Sequence, residues 1–328
     1  MIGFGILGCG RIGQVHARAI SANPDAAVRA VVDPMPDAAN ALADKTGAVA
    51  MSMEDVFADP SVDAVIIGTP TDTHFDLIHK AAAAGKAIFC EKPVDLASDR
   101  IRTCAAAVDA VNVPFMTAFN RRFDPSFAHL QGRITAGDIG DVELVTILSR
   151  DPAPPPLSYI ASSGGLFRDM MIHDFDMARF LLGEDPITVY ASGACLVDPD
   201  IGAAGDIDTA AVTLTTKSGK LCQISNSRRA TYGYDQRIEV HGSMGMLRAE
   251  NQKEHSVELA TQAGFATAPA QHFFLERYEA AYACEVAHFV ACLKNQTPVT
   301  PGIQDGLAAQ VLADAAQQSL ETGSVITL

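Results

Sequence analysis

The sequence predicts an α/β protein with an N-terminal doubly wound parallel sheet, followed by an α+β domain built on a large, open, mostly antiparallel sheet. Three observations support this prediction. Short apolar runs alternate with alanine-rich helical stretches over the first 120 residues. The runs GILG, AVIIG and AIFC are apolar throughout, as strands covered on both faces are. From residue 186 to about 260 the pattern changes to consecutive strands separated by turn signals.

The predicted elements follow in order along the chain. Strands are expected at 2–7, 27–32, 63–68, 86–90 and 114–119, and helices at 11–22, 36–46, 73–84 and 97–110. A proline- and serine-rich loop covers 151–163, one helix is expected at 165–182, and 272–293 and 303–322 return to helix. Because 328 residues exceed what one core usually holds, we expect two domains, 1–120 and 121–328, with the last helix available to pack back on the first domain.

Composition and charge narrow the class of protein. Hydrophobic residues make up 48% of the chain, as in globular proteins, and no apolar run reaches membrane-spanning length. The formal net charge is −15 without a basic cluster, which argues against a nucleic-acid or membrane partner. The seven cysteines are scattered without a CxxC pair, which favours buried thiols in the cytoplasm over disulfides or a zinc site. The N-terminal segment lacks a basic leader and reads as a strand rather than a signal peptide.

A glycine-rich turn joins the first predicted strand to the first predicted helix. Residues 8–13 read GCGRIG, a pattern that is weak by itself, since a plain strand-to-helix turn can carry it. Here it follows the strand IGFGIL, opens the helix RIGQVHARAI, and precedes Asp33 at the end of the next strand by 20 residues. That context is the Rossmann dinucleotide fingerprint. Gly8 allows the tight turn, Gly10 admits the pyrophosphate, and Gly13 lets the helix pack closely, while the helix N-terminus stabilises the phosphate charge.

Asp33 also indicates which dinucleotide binds. A carboxylate at this position accepts hydrogen bonds from the ribose hydroxyls of NAD and repels the 2′-phosphate of NADP. The next residues are Pro34, Met35 and Pro36, so no arginine or lysine stands ready for that phosphate. The sequence therefore predicts NAD.

Two further loops follow parallel strands at their carboxyl ends, where ligands of such sheets bind. In GTPTDTH, Thr69 and Pro70 are placed to line the nicotinamide ribose, and His74 is expected to pack at the start of the next helix rather than to catalyse. The second loop reads EKP. The predicted cofactor-binding residues are Gly8, Gly10, Arg11, Ile12, Gly13, Asp33, Thr69, Pro70, His74, Glu91 and Lys92.

The EKP loop supplies a lysine next to the expected nicotinamide position. The Lys92 ammonium can stabilise the oxygen charge that develops when an alcohol is oxidised, with Glu91 holding it. Pro93 would fix the turn, and a Lys–Pro peptide can be cis. Taken alone, the motif fits equally a surface lysine that leaves a strand.

The helix predicted at 165–182 places an acid and a histidine one turn apart. In GGLFRDMMIHDFD, Asp169 and His173 are i, i+4 neighbours, so their side chains are expected to meet. A carboxylate beside an imidazole fixes its tautomer or favours its protonated form. Spacing alone also fits a solvated helix face with a salt bridge. The polar face of the helix is expected to hold Arg168, Asp169, His173, Asp176 and Arg179.

Taken together, GCGRIG with Asp33, GTPTDTH, EKP and GGLFRDMMIHDFD resemble, in this order and spacing, the Gfo/Idh/MocA family of oxidoreductases over essentially the whole chain. EKP and DxxxH are the more specific motifs. In that family their lysine and histidine are the usual catalytic pair. The resemblance therefore implies that His173 takes the hydroxyl proton as general base, that Lys92 positions the hydroxyl, and that Asp169 orients His173. No metal is expected.

Four stretches are similar to the bacterial inositol 2-dehydrogenase branch of this family: FNRRFDPSF, RDPAPPPLSYI, GGLFRDMMIHDFDMARFLLG and TYGYDQRIEVHGSMG. The similarity implies oxidation of myo-inositol to 2-keto-myo-inositol with NAD, in inositol catabolism. Arg121 and Arg122 fit equally well as ion-pair partners of Asp124 or Asp151. The expected substrate-binding residues are Asn120, Arg122, Asp169, His173, Tyr232 and Tyr234.

Two other functions stay open at this point. A dehydrogenase for another sugar or inositol isomer would keep the same fold and mechanism. A regulator that binds the dinucleotide without turnover is disfavoured, because the chain keeps Lys92, Asp169 and His173. The resemblance also implies a homodimer or homotetramer formed through the open sheet, where alternating apolar residues in AVTLTT and CQISNS suit an interface.

Overall fold

The computed structural model describes residues 1–328, which form two compact units. Unit 1 comprises Met1–Phe123 and Ala280–Gln310, and unit 2 comprises Asp124–Glu279 and Val311–Leu328. The prediction divides the chain once, at 120/121; the first division in the structure is at 123/124, and the chain then returns to unit 1 at Ala280.

Unit 1 contains a parallel sheet with helices on both faces. Its strands are β1 (Ile2–Leu7), β2 (Ala26–Val32), β3 (Val49–Ala50), β4 (Ala64–Ile67), β5 (Ala87–Cys90) and β6 (Phe115–Thr117). Its first helices are α1 (Arg11–Ser21), α2 (Pro36–Thr46), α3 (Met53–Ala58), α4 (His74–Ala83) and α5 (Ser98–Val111), with single 3₁₀ turns at Thr71–Thr73 and Asn120–Phe123.

All neighbouring strands of this sheet are parallel, in the order β3-β2-β1-β4-β5-β6. The order reverses between β1 and β4, and the crevice outside the carboxyl ends of strands at such a point is where dinucleotides bind. The doubly wound sheet and its predicted strands and helices are confirmed; only the short β3 and α3 were not predicted.

Unit 2 is built on a seven-stranded mixed sheet. Its strands are β7 (Val142–Arg150), β8 (Pro186–Ala194), β9 (Thr209–Thr216), β10 (Leu221–Ser227), β11 (Asp235–Gly242), β12 (Gly245–Ala249) and β15 (Ile326–Thr327). A separate hairpin consists of β13 (Glu258–Thr261) and β14 (Gly264–Thr267).

The strand order in the large sheet is β12-β11-β7-β10-β9-β8-β15. Only β7 and β10 run parallel, so the mostly antiparallel sheet is confirmed. Strand β7 was not predicted from the sequence.

The helices of unit 2 are α6 (Pro125–Thr135), α7 (Leu157–Ser163), α8 (Gly165–Asp169), α9 (Ile172–Leu182), α10 (Pro199–Ala203) and α11 (Phe274–Arg277). The single helix predicted at 165–182 is wrong, because α8 and α9 are separated at Met170 and Met171. Met170, Met171 and Ile172 are all buried. Three consecutive residues span about 200° of a straight helix, more than one buried face holds, so tertiary packing interrupts the helix here.

Two long helices end the chain, α12 (Glu279–Asn295) and α13 (Ile303–Thr322). In unit 1, α12 packs on the face of the sheet that carries Phe4 and Phe89, whose rings lie 6.2 and 5.6 Å from that of Phe289. The first residues of α13, up to Gln310, belong to unit 1 and the rest to unit 2. None of the helices is both long enough and apolar enough to cross a bilayer.

Candidate active site

The turn between β1 and α1 has the geometry that its glycines predict. Gly8 has a φ of +96°, and its N–H donates to the Val32 carbonyl at 2.8 Å. A Cβ on Gly13 would collide with the Gly8 carbonyl oxygen, so only glycine lets α1 pack this closely. A Cβ on Gly10 would meet no atom within 4 Å, so packing within the chain does not require glycine there. The open space lies at the residue before α1, where a phosphate would approach the backbone.

The start of α1 suits an anion for a second reason. Its N-cap, Gly10, has no side chain to accept a hydrogen bond, and its first turn, which begins with Arg11 and Ile12, contains no acidic residue. The N–H groups of a helix's first turn have no partner within the helix and concentrate its positive dipole end. The turn therefore fits a pyrophosphate.

Asp33 stands at the end of β2 beside this turn. One carboxylate oxygen accepts the Cys9 N–H and the other accepts the Met35 N–H, each at 2.8 Å. The carboxylate is therefore held in one orientation and fits the ribose hydroxyls of a dinucleotide. Burial, and then the charge of Asp33, raise the pKa of the Cys9 thiol to about 11, so this cysteine stays a protonated packing residue.

The loop after β4 is tied to the loop after β5 by a buried histidine. In His74, Nδ1 lies 2.9 Å from the Pro93 carbonyl oxygen and Nε2 lies 2.9 Å from the Thr69 carbonyl oxygen. Burial lowers the pKa of His74. The packing role expected for this residue is supported, because the ring is buried between carbonyl oxygens of the two loops and, when neutral, donates a hydrogen bond to one of them. Pro70 precedes a 3₁₀ turn that is closed by a 2.6 Å hydrogen bond between the Thr69 and Thr73 hydroxyls.

The Glu91 carboxylate of the EKP motif contacts both a buried histidine on α1 and the backbone of Lys92. One of its carboxylate oxygens lies 2.6 Å from Nε2 of His16, and the other accepts the backbone N–H of Lys92 at 3.3 Å. The Lys92–Pro93 peptide is cis, as the sequence allows. His16 was not predicted as a partner of this motif, although it lies on the inward face of α1. The residue is fully buried and packs against the rings of Phe89 and Tyr282.

In unit 2 the acid and histidine of DxxxH lie on different helices. Asp169 is the last residue of α8, and His173 is the second residue of α9. Asp169 Oδ1 accepts the Tyr159 hydroxyl at 2.8 Å, and Oδ2 lies 3.3 and 3.4 Å from the two terminal nitrogens of Arg228. Arg228 was not predicted as a site residue, although it is the first of two arginines that directly follow the strand ISNS.

The polar face predicted for this helix is also corrected. Asp176, expected on that face, is buried, and so is Asp174. Asp174 accepts hydrogen bonds from the Ser149 hydroxyl at 2.6 Å and from the Asn226 amide at 2.9 Å. These partners stand on β7 and β10, so Asp174 anchors the start of α9, and with it the backbone of His173, to the sheet.

The other expected substrate residues are distributed over both units. In unit 1, Asn120 is buried at the start of a 3₁₀ turn, and Arg122 pairs with Asp305 at 2.9 Å. In unit 2, the Tyr232 hydroxyl donates to Asp235 at 2.8 Å. Tyr234 is buried, and its ring packs edge-on against Tyr278.

Comparison with known proteins places these features in a family. Residues 2–119 match the model described as the oxidoreductase family, NAD-binding Rossmann fold, and residues 131–328 match the C-terminal alpha/beta domain of the same oxidoreductase family. The chain is 55% identical to the inositol 2-dehydrogenase of Rhizobium meliloti (strain 1021) over 97% of its own length and 96% of the relative's.

Solved structures agree. A myo-inositol dehydrogenase from Corynebacterium glutamicum is 43% identical, with a TM-score of 0.96 over 100% of this chain and 99% of that one. The scyllo-inositol dehydrogenase of Lactobacillus casei with bound NAD(H) and scyllo-inositol is 30% identical, with a TM-score of 0.91 over 100% and 99% of the two chains. With both domain models matched, the glycine turn and Asp33 fitting NAD, and the EKP and DxxxH residues in place, this chain belongs to the Gfo/Idh/MocA family of NAD-dependent oxidoreductases.

Proposed function

We propose that this protein oxidises a secondary hydroxyl of a cyclic polyol, converting myo-inositol to 2-keto-myo-inositol with NAD. One observation carries the proposal: the chain keeps Lys92, Asp169 and His173 while it is similar over nearly its whole length to an inositol 2-dehydrogenase. The relatives named above act on inositols, and neutral polyols suit a protein without a basic cluster.

The residues of unit 1 hold the cofactor in this proposal. The N-terminus of α1 and the open space at Gly10 receive the pyrophosphate, and the two backbone N–H bonds to Asp33 keep its carboxylate aimed at the ribose hydroxyls. Thr69 and Pro70 line the nicotinamide ribose, where His74 fixes the Thr69 carbonyl. When bound, NAD accepts the hydrogen of the carbinol carbon as a hydride.

The chain's own residues manage the proton and the charge. His173 takes the proton from the reacting hydroxyl, and the Lys92 ammonium donates a hydrogen bond to the same oxygen and offsets its developing negative charge. Asp169 orients His173 and accepts a hydrogen bond from a neighbouring substrate hydroxyl. Its anchoring through Arg228 and Tyr159 supports this part, because a positioned acceptor loses little entropy on binding.

We further propose Asn120, Arg122, Tyr232 and Tyr234 as contributors to the polyol site. The contacts found favour positioning roles for two of them: Arg122 is engaged by Asp305, and Tyr234 is packed against Tyr278. The half-exposed Tyr232 keeps its hydroxyl near the surface of unit 2 and is the better candidate for a direct contact.

The similarity to a scyllo-inositol dehydrogenase makes scyllo-inositol the second candidate substrate. The two isomers differ only in configuration at one carbon, and oxidation there gives the same ketone. The experiment is therefore run in both directions. NADH formation is measured with myo-inositol, scyllo-inositol, D-glucose and D-xylose, with NADP in place of NAD as the cofactor control. The reduction of 2-keto-myo-inositol by NADH is then analysed for the isomer formed.

The outcomes separate the candidates. A higher kcat/KM for myo-inositol, with myo-inositol as the reduction product, supports the proposal. If scyllo-inositol has the higher kcat/KM and is also the reduction product, the substrate is assigned as scyllo-inositol. If D-glucose or D-xylose is the best substrate, the inositol assignment is refuted but the oxidation of a secondary hydroxyl stands. NAD binding without turnover of any polyol favours the regulator.

We also propose that copies of the chain associate through the exposed face of the seven-stranded sheet as a homodimer or homotetramer in the cytoplasm. The apolar residues of AVTLTT and CQISNS that were expected at the interface are buried: Val212, Leu214, Cys222 and Ile224. Ile187, Tyr190 and Leu221 of the same sheet are exposed and support association instead, and the seven free cysteines support a reducing compartment. Light scattering after size exclusion measures the mass, and Tyr190→Glu is expected to lower it; an unchanged monomer mass of 34.6 kDa in the wild type refutes the association.

A further inference from the structure

A fully buried arginine lies behind the acid of the DxxxH motif. Arg228 follows β10, and only 1% of its side chain is exposed. Its backbone N–H donates to the Asp208 carbonyl at 2.8 Å, which fixes the chain at this point. Burying a guanidinium is costly unless carboxylates compensate it, so the position of this residue requires an explanation.

Two carboxylates face the Arg228 guanidinium. Asp169 Oδ2 lies 3.3 and 3.4 Å from its two terminal nitrogens, and Asp206 Oδ2 lies 3.7 Å from one of them. Asp169 and Asp206 are themselves nearly buried, at 12% and 11% side-chain exposure. Arg228 therefore lies between two carboxyl groups that have little access to solvent.

The two acids have different second partners. Asp206 Oδ1 accepts the Leu166 N–H at 3.0 Å, in the first turn of α8, and a Cβ on Gly165 would lie 2.8 Å from that oxygen. Asp206 is therefore occupied in holding the start of α8. Asp169 Oδ1, in contrast, meets a hydroxyl at the surface, that of the half-exposed Tyr159, at 2.8 Å.

The two carboxylate oxygens of Asp169 thus contact different donors, one buried and one partly exposed. Oδ2 is engaged from the buried side by a charged, planar fork, and Oδ1 meets a donor from the accessible side. A carboxylate oxygen has two lone pairs and can accept hydrogen bonds from more than one donor. A fork that binds one oxygen with two N–H groups also restricts rotation of the carboxylate.

We propose that Arg228 is a positioning residue for the dehydrogenase reaction: it binds Asp169 Oδ2 and so presents Oδ1 as the oxygen that works on the substrate side. The expected effect on kcat rests on the proposed polyol oxidation, whereas the contact between Arg228 and Asp169 does not. The alternative is purely structural, with Arg228 clamping the Asp206 loop to α8.

Three variants separate these roles. Arg228→Met removes the charge and the fork but keeps a long side chain, Arg228→Lys keeps the charge without the fork, and Asp206→Asn keeps the Leu166 bond but removes the second anion. Kinetics with polyol and NAD, the dissociation constant of NADH, and the thermal midpoint are measured for each. In parallel, carboxyl-¹³C-aspartate NMR follows Asp169, whose signal is assigned by its loss in Asp169→Asn.

Positioning predicts a specific pattern. Since hydrogen bonds to charged groups are among the stronger ones, Arg228→Met is expected to lower kcat about 10- to 100-fold. The affinity for NADH is expected to stay within about twofold, because the residues proposed to hold the dinucleotide do not include Arg228 or the acids that it contacts. The kcat of Arg228→Lys is expected to lie between those of wild type and Arg228→Met, and the kcat of Asp206→Asn to stay within about threefold of wild type. The chemical shift of the Asp169 carboxyl carbon is expected to change more in Arg228→Met than in Asp206→Asn.

Other results overturn the inference. If kcat falls equally in Arg228→Met and Asp206→Asn, or falls only in proportion to the thermal midpoint, the role of Arg228 is purely structural. If Arg228→Met does not fold, Arg228→Lys decides: wild-type kcat in that variant refutes positioning by the fork. If the wild type oxidises no polyol, the proposed function fails on its own, and the Asp169 signal still decides, since an unmoved signal in the Arg228 variants refutes the contact.

Discussion

The carboxylate of Asp33 offers the sharpest test of the cofactor site. Its two oxygens accept separate backbone N–H groups, from Cys9 and Met35, each at 2.8 Å. In Asp33→Asn the amide oxygen can replace only one acceptor, and the amide nitrogen then confronts the other N–H group. The substitution therefore acts on the turn that binds the pyrophosphate as well as on the ribose.

The expected loss can be worked from these contacts. A hydrogen bond to a charged group contributes about 1.5–3 kcal/mol, so the one lost at the ribose weakens NAD binding by about 1.5 kcal/mol at the lower limit, whereas the bond lost at the turn is also made in the free protein and acts on stability. A loss of about 1.5 kcal/mol equals roughly 12-fold in the dissociation constant, at about 1.4 kcal/mol per tenfold. The repulsion of a 2′-phosphate also disappears, so the preference for NAD over NADP narrows by about tenfold or more.

NADH fluorescence titration and kcat/KM for both cofactors measure these effects. Asp37→Asn is the matched control, because Asp37 is an exposed carboxylate in the first turn of α2 and the same charge is removed. A folded Asp33→Asn that binds NADH within about threefold of wild type would refute the reasoning, and so would a wild type that prefers NADP.

Three further predictions concern other parts of the chain. Gly13→Ala is expected to lower the thermal midpoint, because its Cβ would meet the Gly8 carbonyl oxygen, whereas Gly10→Ala is expected to fold normally and lose NADH binding. Burial opposes ionisation of Asp208, but backbone N–H groups outweigh it and lower its pKa to about 2, so Asp208→Asn should cost on the order of 2 kcal/mol in urea unfolding at pH 7. Ellman's reagent is expected to label Cys284 fast in the native protein and the buried cysteines slowly, and Cys284→Ser should abolish the fast phase.

Each of these predictions has a contrary result. Equal thermal midpoints for the two glycine variants contradict the packing argument, and unchanged NADH affinity in Gly10→Ala contradicts the phosphate position. Since the ionised Asp208 stabilises the fold above its ordinary pKa and loses that effect as pH falls through its lowered pKa, the difference between wild type and Asp208→Asn should shrink between about pH 4 and pH 2. A difference in stability that stays constant over this pH range contradicts the assignment. Fast labelling of any thiol other than Cys284 and the partly exposed Cys195 contradicts the burial of the remaining five cysteines.

Several features of the site were predictable because they depend on local patterns. The glycine spacing, the acid after the second strand and the motifs at strand ends each follow from what a short stretch of backbone can do. Contacts between segments that are distant in the chain were not predictable. His16 and Glu91 are 75 positions apart, and Arg228 and Asp169 are 59 apart. Neither pair has a periodic signal, because contact across such distances depends on how the elements pack.

The sequence by itself determined the parallel sheet of unit 1, the mostly antiparallel sheet that follows, and the dinucleotide-binding motif with Asp33, which favours NAD. Hydrophobic periodicity and glycine geometry are local, and they dictate these features before the chain is packed. Only the tertiary structure decided that the helix after Gly165 breaks at Met170 and Met171, that α12 completes the core of unit 1, and that a buried arginine holds Asp169. Each of these results from burying one segment against another that is remote in sequence, and burial of that kind outweighs local helix preference.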